Sequence, residues 1–177
     1  GVALAQVPFD VHVHDTYFVV AHFHYIVYGG SVFVIFASVY HWYPKITGRM
    51  LNEHLGRLHF LLTFVGFNLC FAPQHWLGLN GMPRRVAEYD PQFQFVNQIS
   101  SAGALLMAIS TLPFLWNVVA SAFHGTIAGD NPWRALTPEW LTSSPPPVEN
   151  WKGDPPLVTH PYGYGTPADE IDLNSTS

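Results

Sequence analysis

Three stretches of this chain carry no Asp, Glu, Lys or Arg: residues 16–44, 58–83 and 91–129. Each is longer than the ~20 residues an α-helix needs to cross about 30 Å of hydrocarbon. A helix on the surface of a water-soluble domain shows a polar face at every turn. Here the apolar pattern is broken chiefly by Gly, Ser, Thr, Asn, Gln and His, the types that membrane helices accept where they pack. The pattern predicts an all-α, polytopic membrane helix bundle with three transmembrane helices, near 17–43, 56–79 and 94–124. Gly103 and Pro113 in the third predict a close contact and a kink. Trp42, Tyr43, Trp76 and Trp116 are either interfacial anchors or core aromatics. Residues 1–7 read as the tail of a further apolar helix. With no initiator Met and no basic leader, the sequence reads as a fragment of a longer chain.

Charge orients the spans. The loop 45–57 carries Lys45, Arg49 and Arg57 against Glu53, which places it in the cytoplasm by the positive-inside rule. Counting spans then puts His14-Asp15 and Arg84-Arg85 together on the opposite face. Basic residues are disfavoured on that face, so a bound anion is one explanation of the arginine pair. The net charge of −5 comes mostly from the last third of the chain, and there is no basic footprint for nucleic acid. From Asp130 the composition changes. Residues 1–129 form the membrane domain, and 130–177 form a Pro-rich cytoplasmic tail. Pro145, Pro146 and Pro147 favour extended geometry, with an irregular ordered strap to about Trp151 and fraying beyond Thr159. Cys70 is alone in an apolar segment and reads as a small buried residue.

Candidate chemistry sits at the start of the first span. His22 and His24 are two residues apart, so on an α-helix they point about 200° apart. One metal ion on a helix takes an i,i+3 or i,i+4 pair, so these two suit two different partners. The first reading is packing and hydrogen bonding. The second is ligation of two separate metal cofactors with the helix as the wall between them, because an ionisable group at membrane depth marks function by default. Neutral imidazole is a common axial ligand of haem iron, and Phe18, Phe23, Tyr25 and Phe33 suit the flanks of a flat macrocycle. His14-Asp15 either caps the helix, Asp15 being a good N-cap, or offers nitrogen and oxygen to a hard divalent ion. Arg84 and Arg85 are either solvated or hold carboxylates such as haem propionates. His12, His41, His54, His59, His75, His124 and His160 fall mostly near span ends or in loops, where interfacial or hydrogen-bonded roles suffice.

The run His14-Asp15-Thr16-Tyr17-Phe18-Val19-Val20-Ala21-His22-Phe23-His24-Tyr25 resembles a signature of subunit I of the haem–copper terminal oxidases. The run Pro73-Gln74-His75-Trp76-Leu77-Gly78-Leu79-Asn80-Gly81-Met82-Pro83-Arg84-Arg85 resembles a second, and Pro138-Glu139-Trp140 through Pro147 resembles the family's C-terminal strap. The resemblance extends to about residue 151. It implies that His22 is the axial ligand of the high-spin haem where O2 is reduced, and His24 an axial ligand of the low-spin haem that delivers electrons. It implies that Phe23 lies on a short electron route and that Arg84 and Arg85 pair with haem propionates. His14 and Asp15 would ligate magnesium at the contact with subunit II. The spans would be the subunit's last three.

The implied cofactors are two haems of the A type, magnesium, and a copper B whose ligands belong to earlier helices absent from this sequence. The implied partners are subunits II and III, cytochrome c as donor, O2 and the lipid bilayer. The implied location is a bacterial inner (plasma) membrane, crossed several times. The parent complex would reduce O2 to water and translocate protons in aerobic respiration, while this fragment alone would catalyse nothing. Asp15-Thr16-Tyr17 and His24-Tyr25 favour the cytochrome-c-oxidising branch. The alternatives are a quinol oxidase of the same superfamily and a non-catalytic membrane scaffold whose histidines only pack. A transporter fits less well, because no broken-helix pair is visible.

Overall fold

Pro8 has no amide hydrogen to lose and a φ already suited to a helix, so it sits at the start of helix α1, Val7–Val13. The computed structural model of the chain describes residues 1–135, 137–151 and 153. The expected helical tail at 1–7 is instead a set of turns, and α1 follows it. The chain reverses at Asp15, whose φ of 56° is left-handed, and enters helix α2, Tyr17–Val27. Thr16 rather than Asp15 caps α2: its hydroxyl accepts from the Phe18 amide at 3.2 Å and donates to the Val13 carbonyl at 2.6 Å. Asp15 has turned away into the reversal, which is why it cannot cap.

Helix α2 runs through a π turn, Tyr28–Val32, into α3, Phe33–Thr47. Gly29 and Gly30 lie in that turn, and the Phe33 amide reaches back five residues to the Tyr28 carbonyl. Helix α4 is Glu53–Leu79 and α5 is Gln94–His124, preceded by a 3-10 turn at Pro91–Phe93. Three helical segments, Tyr17–Thr47, Glu53–Leu79 and Pro91–His124, are long and apolar enough to cross a membrane. At 31 residues the first is about 46 Å long, enough for the hydrocarbon and both headgroup layers. Among the described residues there is no strand, only two isolated bridges.

The chain divides into two compact units. The first, Gly1–Ser38 with Glu53–Asn117, has a core of Phe67, Cys70 and Phe71, against which Tyr25, Tyr28, Phe33 and Met107 pack. Helices α4 and α5 meet through small residues. A methyl on Gly103 would strike the Cys70 amide nitrogen, and one on Gly66 would lie 2.9 Å from Met107. Hydroxyls and an amide join the same interface. Thr63 donates to Ser110 at 2.8 Å, Gln74 donates to Ser100 at 2.9 Å, and Ser100 donates to the Cys70 carbonyl at 2.8 Å. In lipid, such packing and hydrogen bonds do the work that the hydrophobic effect does in water.

The second unit is Val39–Asn52 with the chain from Val118 on. Lys45, expected in a loop, lies in the last turns of α3 and is buried. Its ammonium donates to the carbonyls of Asp130 (3.0 Å), Thr142 (2.7 Å) and Ser143 (3.4 Å) and stands 5.0 Å above the Trp140 ring. Arg49 donates to the Gly125 carbonyl at 2.7 Å, and Trp133 to the His41 carbonyl at 2.9 Å. The strap is therefore folded and pinned by one buried cation. Of the four aromatics left open between anchor and core, Tyr43 is buried, with its hydroxyl on the Val118 carbonyl, while Trp42, Trp76 and Trp116 are exposed. His160 and the segment beyond Thr159 lie outside the described residues.

Hydrogen bonds to a charged donor contribute roughly 1.5–3 kcal/mol each. Lys45→Met in the full-length protein is therefore expected to raise local opening of the strap by at least about 30-fold. Limited proteolysis would show new cuts between residues 130 and 150; a digestion pattern unchanged from wild type would contradict the clasp.

Candidate functional site

Which way the two central imidazoles point follows from the face of α2 that packs. Ala21 is fully buried, the Phe18 ring meets His75 of α4 edge-on at 5.0 Å, and Tyr25 packs against Phe67 and donates to Asn68 at 2.8 Å. Tyr28 stacks on Phe67 at 5.4 Å. Phe18, Ala21, Tyr25 and Tyr28 therefore form the ridge that faces α4. Taking Ala21 as origin, His22 lies about 100° to one side and His24 about 60° to the other. The histidines flank the ridge and diverge, and α2 is regular across both.

Each imidazole has its own surroundings. The His24 ring lies parallel to Phe71, with centroids 4.2 Å apart, and against Phe23 at 4.4 Å. Its Nδ1 is 2.8 Å from the Val20 carbonyl. With the proton on Nδ1, that bond holds the ring and leaves Nε2 as a free lone pair, the form in which histidine ligates a metal. The His22 Nε2 lies 3.3 Å from the position a methyl on Gly1 would take. Both rings are half-buried, and Phe23 between them is partly exposed. The donor set fits two haem irons, one on each flank.

Gly78 sets how closely α2 approaches α4. A methyl there would coincide with the Phe18 backbone, 2.6 Å from its Cα and closer still to its nitrogen. Nothing in the periodicity of α4 marks this glycine as different from Gly66.

The two polar clusters that the span count assigned to one face meet directly. The Tyr17 amide bonds the Met82 carbonyl at 3.0 Å, and the Arg84 amide bonds the Asp15 carbonyl at 2.9 Å, on either side of a Thr16–Pro83 bridge. Arg84 donates from Nε to Asp15 Oδ1 at 2.7 Å, and one terminal nitrogen reaches the same oxygen. The Arg84 hydrogen bond, then its charge, hold the Asp15 carboxyl below the usual carboxylate range. Arg85 is exposed in a left-handed conformation, φ 63°. From this rim His22 and His24 lie about 9 and 12 Å along the axis of α2, a span suited to a macrocycle with carboxylate arms.

His14 stands at the end of α1, with Nε2 3.6 Å from Asp15 Oδ2 and Nδ1 3.6 Å from Asp10 Oδ2. Cis ligands of an octahedral ion bound at about 2.1 Å lie about 3 Å apart; His14 and Asp15 offer one nitrogen and one oxygen at 3.6 Å, wider than that spacing. Among the described residues no three His, Cys, Asp or Glu side chains group as a metal site. Asp10 was not singled out from the sequence. Its i,i+4 spacing to His14 was the available signal, hidden because helix was expected to end at residue 7.

His59 lies near the start of the second span, as its position implied, but is buried there between the rings of Phe36 (4.6 Å) and Phe114 (4.9 Å). His75 packs in the same helix, and His41 stacks on Trp133.

A family model described as cytochrome c and quinol oxidase polypeptide I matches residues 1–106. Cytochrome c oxidase subunit 1 of Synechocystis sp. is 57% identical over 176 residues, 99% of this chain and 32% of that protein. The subunit 1 of Thermostichus vulcanus is 59% identical over 165 residues, 93% of this chain and 30% of that protein. The chain thus spans about a third of the length of the curated relatives it matches. A heme–copper terminal oxidase dimer solved by cryo-electron microscopy matches with a TM-score of 0.63 and 24% identity, over 72% of this chain and 24% of that chain, a likeness of fold.

Proposed function

We propose a function from one premise: the chain belongs to the cytochrome c and quinol oxidase polypeptide I family. It is the C-terminal part of a catalytic subunit that, at full length and within its complex, takes electrons from cytochrome c, reduces O2 to water and translocates protons. The complex sits in a bacterial plasma membrane, with subunits II and III as partners. The observation that carries this reading is the pair of imidazoles on opposite flanks of α2. When bound, the two haems, of the A type, supply electron transfer and the site of O2 reduction.

The residues of this chain hold and orient. His22 takes the iron of the high-spin haem and His24 that of the low-spin haem, fixed by its bond to Val20 and its stack on Phe71. Phe23 fills the gap between them. Arg84 and Arg85 neutralise propionates at the rim. Arg84 has donors to spare, since Nε and one terminal nitrogen serve Asp15 and the other terminal nitrogen is left. His14 and Asp15 hold magnesium. Copper B takes its ligands from parts of the subunit outside this chain.

The curated relatives' names favour cytochrome c over quinol as donor. The purified full-length complex is expected to oxidise reduced cytochrome c with matching O2 uptake. Quinol oxidation without cytochrome c would move the protein to the other branch, and a complex free of haem would leave only a scaffold.

Removing a positive charge near a haem favours its oxidised state, so Arg85→Ala is expected to lower the haem potentials. The shift is on the order of tens of millivolts, where 59 mV is tenfold for one electron. Arg84→Ala is expected to lower them further, because it also uncovers the Asp15 carboxylate. Redox titration of the absorption bands measures both, and potentials equal to wild type would return the arginines to a solvated loop.

A further inference from the structure

We propose that Phe71 of α4 is a positioning residue for the low-spin haem: its ring sets the plane in which the His24 imidazole meets the iron. This rests on the assignment of His24 to that iron given above. It ties α4, a helix to which no iron ligand is assigned, to the electronic state of the haem.

Two contacts hold the His24 ring, and they do different things. The bond between Nδ1 and the Val20 carbonyl, 2.8 Å long, lies within α2 itself, one turn back. It fixes one ring atom and leaves the ring free to tip about that point. Phe71 removes this freedom. Its ring lies within 13° of parallel to the imidazole, with centroids 4.2 Å apart, so neither ring tips without meeting the other. Phe71 is buried and backed by Phe67 at 5.4 Å and Tyr28 at 6.2 Å. Its plane is set by the core, and the stack passes that plane on to His24. Phe23 also touches the imidazole, but it is tilted by 31° and partly exposed, so it is the less constrained of the two rings.

The stack follows from register and not from a chance rotamer. Helices α2 and α4 run antiparallel: Phe18 meets His75, His24 meets Phe71, Tyr25 reaches Asn68 and Tyr28 stacks on Phe67. Gly78 lets the two backbones touch at Phe18. From that contact His24 lies about 9 Å along α2 and Phe71 about 10.5 Å along α4, so the two rings arrive at one level. A residue that orients an axial imidazole acts on the metal through it. In a low-spin ferric haem the orbital of the unpaired electron aligns with the planes of the axial imidazoles, so the g values of the haem report those planes.

The test is electron paramagnetic resonance of the oxidised full-length complex, with haem content and haem absorption measured beside it. Phe71→Leu is expected to keep both haems and to move the largest g value of the low-spin haem by more than its wild-type linewidth. The high-spin haem absorption should stay as it is, because Phe71 lies against the His24 flank. Phe71→Tyr, which keeps the ring, is expected to return the wild-type g value. Phe33→Leu takes a ring from the same core, where it meets Tyr28 and Phe67, and is expected to leave the g value in place. An unmoved g value in Phe71→Leu overturns the positioning role, and so does an equal shift in Phe33→Leu, which would mark general loosening of the core. Should Phe71→Leu take up no haem, a side-chain-resolved map of the wild-type, haem-loaded complex decides: a Phe71 ring parallel to His24 upholds the proposal, and one turned or moved away overturns it. His24→Ala separates the two levels of the reading. Low-spin haem retained there overturns the ligand assignment and the proposal with it, whereas its loss there beside an unmoved g value in Phe71→Leu overturns the positioning role alone.

Discussion

A full-length subunit carrying His24→Ala is expected to lose the low-spin haem absorption while the high-spin signal persists. His22→Ala is expected to keep the low-spin signal and bring O2 uptake down to background. The asymmetry follows from the helix. His22 and His24 lie on either side of the ridge that packs on α4, so each substitution empties one flank and leaves the other imidazole where it was. Alanine is a good helix former and neither ring belongs to the buried ridge, so α2 itself should survive. Retention of both haem signals and full activity in both variants would remove the ligand assignment and leave two packing histidines.

The second large effect is expected at a residue that touches no cofactor. Gly78→Ala places a methyl group on the backbone of Phe18, where no rotamer change can relieve the overlap. Either α2 moves away from α4 or α4 distorts, at a cost of about 1–3 kcal/mol or more. Both histidines ride on α2, so the two haem signals should fall together, unlike the selective losses above. Haem content per subunit in the purified complex measures this. A full complement of both haems in Gly78→Ala would show that α2 and α4 do not approach this closely in the assembled protein.

The spans were legible because absence of charge over residues 16–44, 58–83 and 91–129 is a signal that no local detail can mask. The divergence of His22 and His24 was equally legible, since it needs only the period of a helix. What the period does not tell is which face meets a neighbour. The Phe18–Ala21–Tyr25–Tyr28 ridge, and with it the meaning of the divergence, required α4 in place. Short-range geometry misled twice. Asp15 has the chemistry of a cap, but the chain turns through it and Thr16 takes the role. Lys45 has the chemistry of a loop, but carbonyls from 85 or more residues later in sequence enclose its ammonium, a contact that no local pattern encodes. The Asp15–Arg84 pair shows a middle case: counting spans put both on one end, and only the Thr16–Pro83 bridge brings them into register.

The most direct measurement is a cryo-electron microscopy map of the haem-loaded, full-length complex at side-chain detail. It should show two irons on opposite flanks of the α2–α4 ridge, one within bonding distance of His22 and the other of His24. Both rings turned to one flank, or either iron bound by neither imidazole, would contradict the account.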